Sequence, residues 1–239
     1  MKTLTAYQEV KQKITEDLVR GRYLMGQALP AEKDLAKELD VSIGTLRKAV
    51  DELVAEGIVV RRQGRGTYVA EHDAKRLLYY FFHVVRWDAD KKTYPRVETA
   101  SFVLSQASRE ESLKLGLKEG ASVWRIVTRL YLENECVMVD HITIDRKRFK
   151  NLTRAEFDKR EGTIYQLYQK RYGQSVIKTN ERMRAGLAGK QMATWLKLKP
   201  DSPVLLIRRV AFDIQEEPIE WRISTLNTAH HEYFNELVT

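Results

Sequence analysis

Apolar residues recur at three- and four-residue spacing through the first quarter of the chain and at two-residue spacing through much of the rest. Over residues 5–20, Tyr7, Val10, Ile14 and Leu18 line one stripe behind Thr5, a residue suited to cap a helix. Residues 31–39 predict a second, short helix with Leu35, Ala36 and Leu39 inward, entered after Pro30. Residues 41–56 predict a third. Ser42 is its N-cap, Leu46, Ala49, Val50, Leu53 and Val54 are its buried stripe, and Gly57 is its stop. Only Asp40 to Ser42 separate the second helix from the third, which is the spacing of a helix-turn-helix. After Gly57 the period changes to two. Ile58 to Val60 and Thr67 to Val69 then predict a hairpin whose turn holds Gly64 and Gly66.

Further on, Leu77 to Val85 has β character, and leaving Tyr79, Tyr80, Phe81 and Phe82 in water would be costly. An internal echo follows. Leu115-Gly116-Leu117-Lys118 precedes strand Val123–Leu132, the turn Glu133–Glu135 and strand Val137–Ile144. Leu196-Lys197-Leu198-Lys199 likewise precedes Val204–Ile214, a turn and Ile219–Leu226. Each copy predicts helix, strand, turn, strand. Between them, Thr163–Tyr172 predicts a helix and Val176–Ala185 another strand. The fold class expected is α+β: a winged helix-turn-helix over residues 1–72, a connecting segment over 73–94, and an antiparallel-sheet domain over 95–239.

Composition narrows the class. The chain of 239 residues carries 31% charged and 43% hydrophobic residues, as a soluble globular protein does. No apolar run approaches a membrane span, and the first residues lack a signal peptide's apolar stretch. Cys136 is the only cysteine, so an intramolecular disulfide is impossible and a cytoplasmic location is expected. The net charge of +8 is unevenly placed: the first 75 residues hold 13 basic and 12 acidic side chains. Local placement of charge, rather than the total, must therefore carry any argument for DNA, and the later excess leaves room for an anionic small molecule. Adjacent His230 and His231 point apart on a strand, with no Cys or spaced His to complete a metal site. Neither metal nor cofactor is expected.

The third helix is the candidate reader of DNA. Ile43, Gly44, Arg47 and Lys48 lie off its buried stripe near its positive end. Arg62-Gln63-Gly64-Arg65-Gly66 forms a basic turn directly behind it, suited to phosphates and a narrow minor groove. These features resemble a known family. Leu29-Pro30-Ala31-Glu32, Leu35-Ala36, Val41-Ser42, Thr45 to Ala49, Leu53, Glu56-Gly57 and Arg62 to Val69 closely resemble the winged helix of GntR-family transcription regulators. The resemblance implies a homodimer on a palindromic operator, with Lys33, Ser42 and Thr45 joining the residues above at the DNA. Three departures stand out. Ile43 and Lys33 replace frequent arginines, and Ala31 replaces the frequent capping Ser, forfeiting roughly 1 kcal/mol. Ile43 cannot grip guanine but can touch a thymine methyl, which leaves Arg47 as the base reader.

Residues 95–238 resemble the effector (UTRA) domain of the HutC subfamily, which shares its fold with chorismate lyase. The carrying residues run from Glu111 to Gly120 and include Arg129, Thr163-Ile164-Tyr165, Arg209 and Pro218-Ile219-Glu220. The resemblance implies a small-molecule site using Arg129, Tyr131, Asp140, Thr163, Tyr165 and Glu220. Relatives that bind sugar phosphates commonly have two arginines two residues apart; here Arg129 matches the first and Tyr131 replaces the second. That exchange favours a small carboxylate over a sugar phosphate as the effector. Two other readings stay open: a lyase-type enzyme on the second fold, and a constitutive DNA-binding protein without effector. Against the enzyme, there is no G-x-S-x-G, P-loop or metal-spaced cluster.

Overall fold

A computed structural model describes residues 4–24, 26–70, 81–89 and 93–235. The chain divides into two compact units, residues 1–71 forming one and the bulk of 72–239 the other. Among the described residues, no helix is long and apolar enough to cross a membrane.

In the first unit, α1 (Ala6–Val19), α2 (Glu32–Glu38) and α3 (Ile43–Ala55) precede a hairpin of β1 (Val59–Arg62) and β2 (Gly66–Val69). Leu46, Ala49, Val50 and Leu53 of α3 are buried, as are Val10 and Ile14 of α1, so the two apolar stripes close on one core. The Ser42 hydroxyl accepts from the Thr45 N–H at 3.1 Å, capping α3. Ala31 caps α2 with no side-chain bond. At the wing tip Gly64 (φ 69°) and Gly66 (φ 102°) adopt the left-handed conformations that let the hairpin close.

The second unit is one six-stranded antiparallel sheet in the order β4-β5-β6-β9-β8-β7. Its strands are β4 (Arg96–Gln106), β5 (Ser122–Leu132), β6 (Glu135–Asp145), β7 (Lys178–Leu187), β8 (Pro203–Phe212) and β9 (Pro218–Asn227). The two echoed hairpins are β5–β6 and β8–β9. They join through their second strands, with Asp140 opposite Ser224 and Ile142 opposite Arg222. A small separate pair unites β3 (Val84–Arg86) with β10 (His231–Tyr233). Of the predicted run 77–85, residues 77–80 lie outside the described residues and strand structure begins at Val84.

Helices cover both faces. The echoed helices α4 (Arg109–Leu115) and α7 (Lys190–Trp195) pack on one face, where Ala193 and Leu196 meet Cys136, Val139 and Val204. On the other face, α5 (Arg154–Asp158) and α6 (Ile164–Tyr172) bring Phe157, Tyr165 and Tyr168 against Ile126, Ile142 and Ile144. Strand β4, which no predicted element covers, forms an edge of the sheet beside β5.

Candidate functional site

In the first unit, Lys33, Ile43, Gly44 and Arg47 are exposed, as are all residues from Arg62 to Gly66. The Ser42 and Thr45 hydroxyls bond each other at 2.9 Å. Arg47 donates through Nε to Glu32 Oε2 at 2.7 Å. Lys48 turns towards α1, its ammonium 4.1 Å from the Tyr7 ring centroid. The Arg62 guanidinium lies over the Tyr68 ring at 4.4 Å, which leaves Gln63, Gly64 and Arg65 at the wing tip. The off-stripe residues of α3 and the wing tip are thus exposed in one compact unit, with Lys48 set apart.

The second unit holds a cavity of about 790 Å3, its mouth included, on the α6 side of the sheet. Side chains at alternate positions of four strands floor it: Thr128 and Leu130, Met138 and Asp140, Arg222 and Ser224, Ile207 and Arg209. Phe81 to Val84, Tyr94, Arg160, the turn from Gly162 into α6, and Tyr233 complete the wall. Of the residues expected here, Asp140, Thr163 and Tyr165 line the cavity. Glu220 lies directly behind, accepting from the hydroxyls of Tyr165 at 3.1 Å and Tyr168 at 2.8 Å.

Arg129 and Tyr131 are not brought to this cavity. Their neighbours Thr128 and Leu130 face it, so strict alternation sends Arg129 and Tyr131 to the opposite face of the sheet. There Arg129 pairs with Glu98 at 3.1 Å, and Arg96 lies over the Tyr131 ring at 4.2 Å.

The cavity's cations come from elsewhere. Arg222 is clamped between two acids, donating to Glu220 from Nε (2.9 Å) and Nη2 (3.0 Å) and to Asp140 from Nη1 (2.9 Å). Both carboxylates are 0% exposed, and Ser224 adds a 2.6 Å bond to Asp140. Arg209 pairs with Glu181 and donates to the Phe81 carbonyl at 2.7 Å. Arg160 differs. It donates to the Phe157 carbonyl, forms no ion pair among the described residues, and leaves its Nε buried without a partner. Burial pushes its guanidinium below the usual value, with Arg222 acting in the same direction. The Thr128 hydroxyl, on the cavity floor, is likewise buried and unbonded. At the start of α6, Thr163 and Gln166 cap each other at 2.8 and 3.0 Å. That leaves the Ile164 and Tyr165 N–H groups without an intrahelical acceptor. Burial, with Glu220 adding to it, raises the Tyr165 phenol to about 12, so the ring keeps its proton and donates.

Comparison with known proteins settles the family. A profile described as "UTRA domain" matches residues 91–232, and one described as "Bacterial regulatory proteins, gntR family" matches residues 6–69. The "Probable transcriptional regulator PhnF" of Escherichia coli (strain K12) is 30% identical over 222 residues, covering 92% of this chain and 90% of that one. The chain belongs to the GntR family, as a regulator of the HutC type. The "Probable fructoselysine utilization operon transcriptional repressor" of the same organism is 28% identical over 221 residues, covering 89% of this chain and 86% of the relative. A ligand-binding domain from Bordetella bronchiseptica, assigned to GntR-family regulators, superposes with a TM-score of 0.64 at 22% identity, over 67% of this chain and 99% of that one; it supports the fold. This GntR-family protein is a ligand-responsive, DNA-binding regulator of transcription and not an enzyme.

Arg160, Arg209, Arg222, Ser224 and Tyr233 were not among the expected effector residues. Arg209 and Arg222 were visible as alternate positions of two echoed strands. Arg160 lies between two helices, where no periodicity marks it.

Proposed function

We propose that the chain is a homodimeric, cytoplasmic repressor that binds a palindromic operator and responds to a small monoanion held in the cavity. The observation that carries the ligand class is Arg160: a partly buried guanidinium lining the cavity, with an orphaned Nε and no ion pair among the described residues. The other two cavity arginines are already neutralised by buried carboxylates, so one negative head group suffices. A carboxylate at Arg160 and the start of α6 would gain charge-assisted hydrogen bonds. Its body would lie along Leu130, Met138, Val84 and Ile207, a lining that suits an apolar or aromatic chain better than a polyol. Thr163 and Tyr165 belong to this site. Asp140 and Glu220 act by holding Arg222 in place.

The DNA-reading residues are Arg47 with Ile43, Gly44, Thr45 and Ser42 on α3, Lys33 on α2, and Arg62 to Gly66 of the wing. Lys48 would have to leave Tyr7 to reach a phosphate. The domains run over residues 1–72 and 95–239, joined by 73–94. The cavity wall from Phe81 to Val84 belongs to that joining segment, so a ligand touching it acts on the chain leading to the winged helix. A calorimetric titration with aryl and alkyl carboxylates tests the ligand class. Wild type should bind at least one, and Arg160→Gln should lose roughly tenfold or more in affinity. Binding of neutral sugars alone, or equal binding by the variant, would refute it.

A further inference from the structure

Glu32 is an acidic side chain bonded to Arg47 within the surface assigned above to DNA, where a negative charge opposes the phosphate backbone. Its two oxygens face two arginines from different elements. Oε2 accepts from Arg47 Nε of α3 at 2.7 Å, and Oε1 lies 3.9 Å from Arg61 Nη2 of β1. Arg61 is itself anchored to Asp51 at 2.6 Å. Arg47 is 62% exposed on its side chain, and its terminal Nη groups make no hydrogen bond among the described residues.

We propose that Glu32 is the positioning residue for base reading: it fixes Arg47 by the Nε edge and presents the Nη fork to a base. This rests on the assignment of Arg47 as the base reader. A guanidinium has two usable edges, and the terminal fork matches O6 and N7 of guanine. An unrestrained exposed arginine samples many rotamers and finds any nearby phosphate, gaining affinity without sequence information. Held by Nε, it loses that freedom before DNA arrives, and ordering costs less in the complex. The carboxylate also weakens attachment to DNA of any sequence by partly cancelling the charge of Arg47. Discrimination and non-specific affinity should therefore move in opposite directions when Glu32 is removed.

The experiment uses the full chain and two labelled duplexes: one selected by wild type from a random pool, and a shuffled version. Affinities are read by fluorescence anisotropy at fixed salt, with melting temperatures measured alongside. In Glu32→Ala, the ratio of the two affinities should fall by roughly tenfold while the shuffled duplex binds at least as tightly as to wild type. Glu32→Gln keeps an acceptor for Nε and loses the charge. It should retain most of the discrimination while still binding the shuffled duplex more tightly. An unchanged ratio in Glu32→Ala overturns the proposal, as does an equal loss on both duplexes with a lowered melting temperature. Arg47→Ala separates the two layers. If it too keeps the full ratio, or if wild type selects no sequence, the recognition assignment itself falls and Glu32 has nothing to position.

Discussion

Replacing Arg222 with Met keeps much of the side chain's length and removes the cation between Asp140 and Glu220. Three charge-assisted hydrogen bonds of 2.9–3.0 Å disappear, and two carboxylates with no solvent exposure lose their counterion. Breaking a buried ion pair from one side typically costs about 3–5 kcal/mol. The lower half of that range applies here, because Glu220 keeps the hydroxyls of Tyr165 and Tyr168, and Asp140 keeps that of Ser224. For a chain of this size, about 3–4 kcal/mol is a fall in Tm of roughly 6–16 °C. The pH dependence gives the stronger test. Stranded acids bind protons more readily folded than unfolded, so the variant's stability must decline as pH rises through the neutral range. Urea denaturation of both proteins at pH 5 and pH 8 would show a larger deficit at pH 8. Combining Arg222→Met with Asp140→Asn and Glu220→Gln should recover much of the loss. A deficit below about 1 kcal/mol, or one identical at the two pH values, would refute the account of the cluster.

Two other substitutions probe each unit separately. Leu53→Ala removes a fully buried side chain of α3 and should cost about 2–5 kcal/mol by chemical denaturation, reducing DNA binding through unfolding of the first unit. A loss under 1 kcal/mol would contradict the packing described. Glu111 is held near pKa 2: burial raises it, but bonds from Arg125, Ser108 and Thr143 more than offset this. Because the folded value lies below the unfolded one, its contribution is present above pH 4.5 and is lost as pH falls towards 2. After solvent screening, Glu111→Gln should cost about 1–2 kcal/mol at pH 7 and much less at pH 2.5; a pH-independent difference would count against the bonding described.

The winged helix was legible because its signals are local. A Ser cap, a 3.6-residue stripe and glycines at positive φ each specify their own element, and together they leave little choice. The second domain's hairpins were legible from their repetition; that they join through their second strands was not, because either strand of a repeated hairpin can lie at the seam. Strand β4 was not, because a bulge between Thr99 and Ser101 interrupts its alternation and an edge strand has a neighbour on one side only. The separation of Arg129 and Tyr131 from the cavity has a different cause. Period two tells which residues share a face, but both faces of this sheet are covered by helices, so it cannot tell which face holds the cavity. Arg209 and Arg222 meet their acids only through the strand register, which sets Arg209 opposite Glu181 and Arg222 two residues from the Ser224 that faces Asp140. Arg160 depends on tertiary structure alone.

In the proposed mechanism, an anion at Arg160 controls DNA binding. Its most direct test is fluorescence anisotropy of a duplex selected by wild type, titrated with a panel of small carboxylates, on wild type and Arg160→Gln in parallel. At least one carboxylate should shift the wild-type Kd by roughly fivefold or more, while Arg160→Gln binds the duplex as tightly and fails to respond. A variant that responds as wild type does, or a wild type that ignores every carboxylate while releasing DNA for a neutral sugar, would contradict the account.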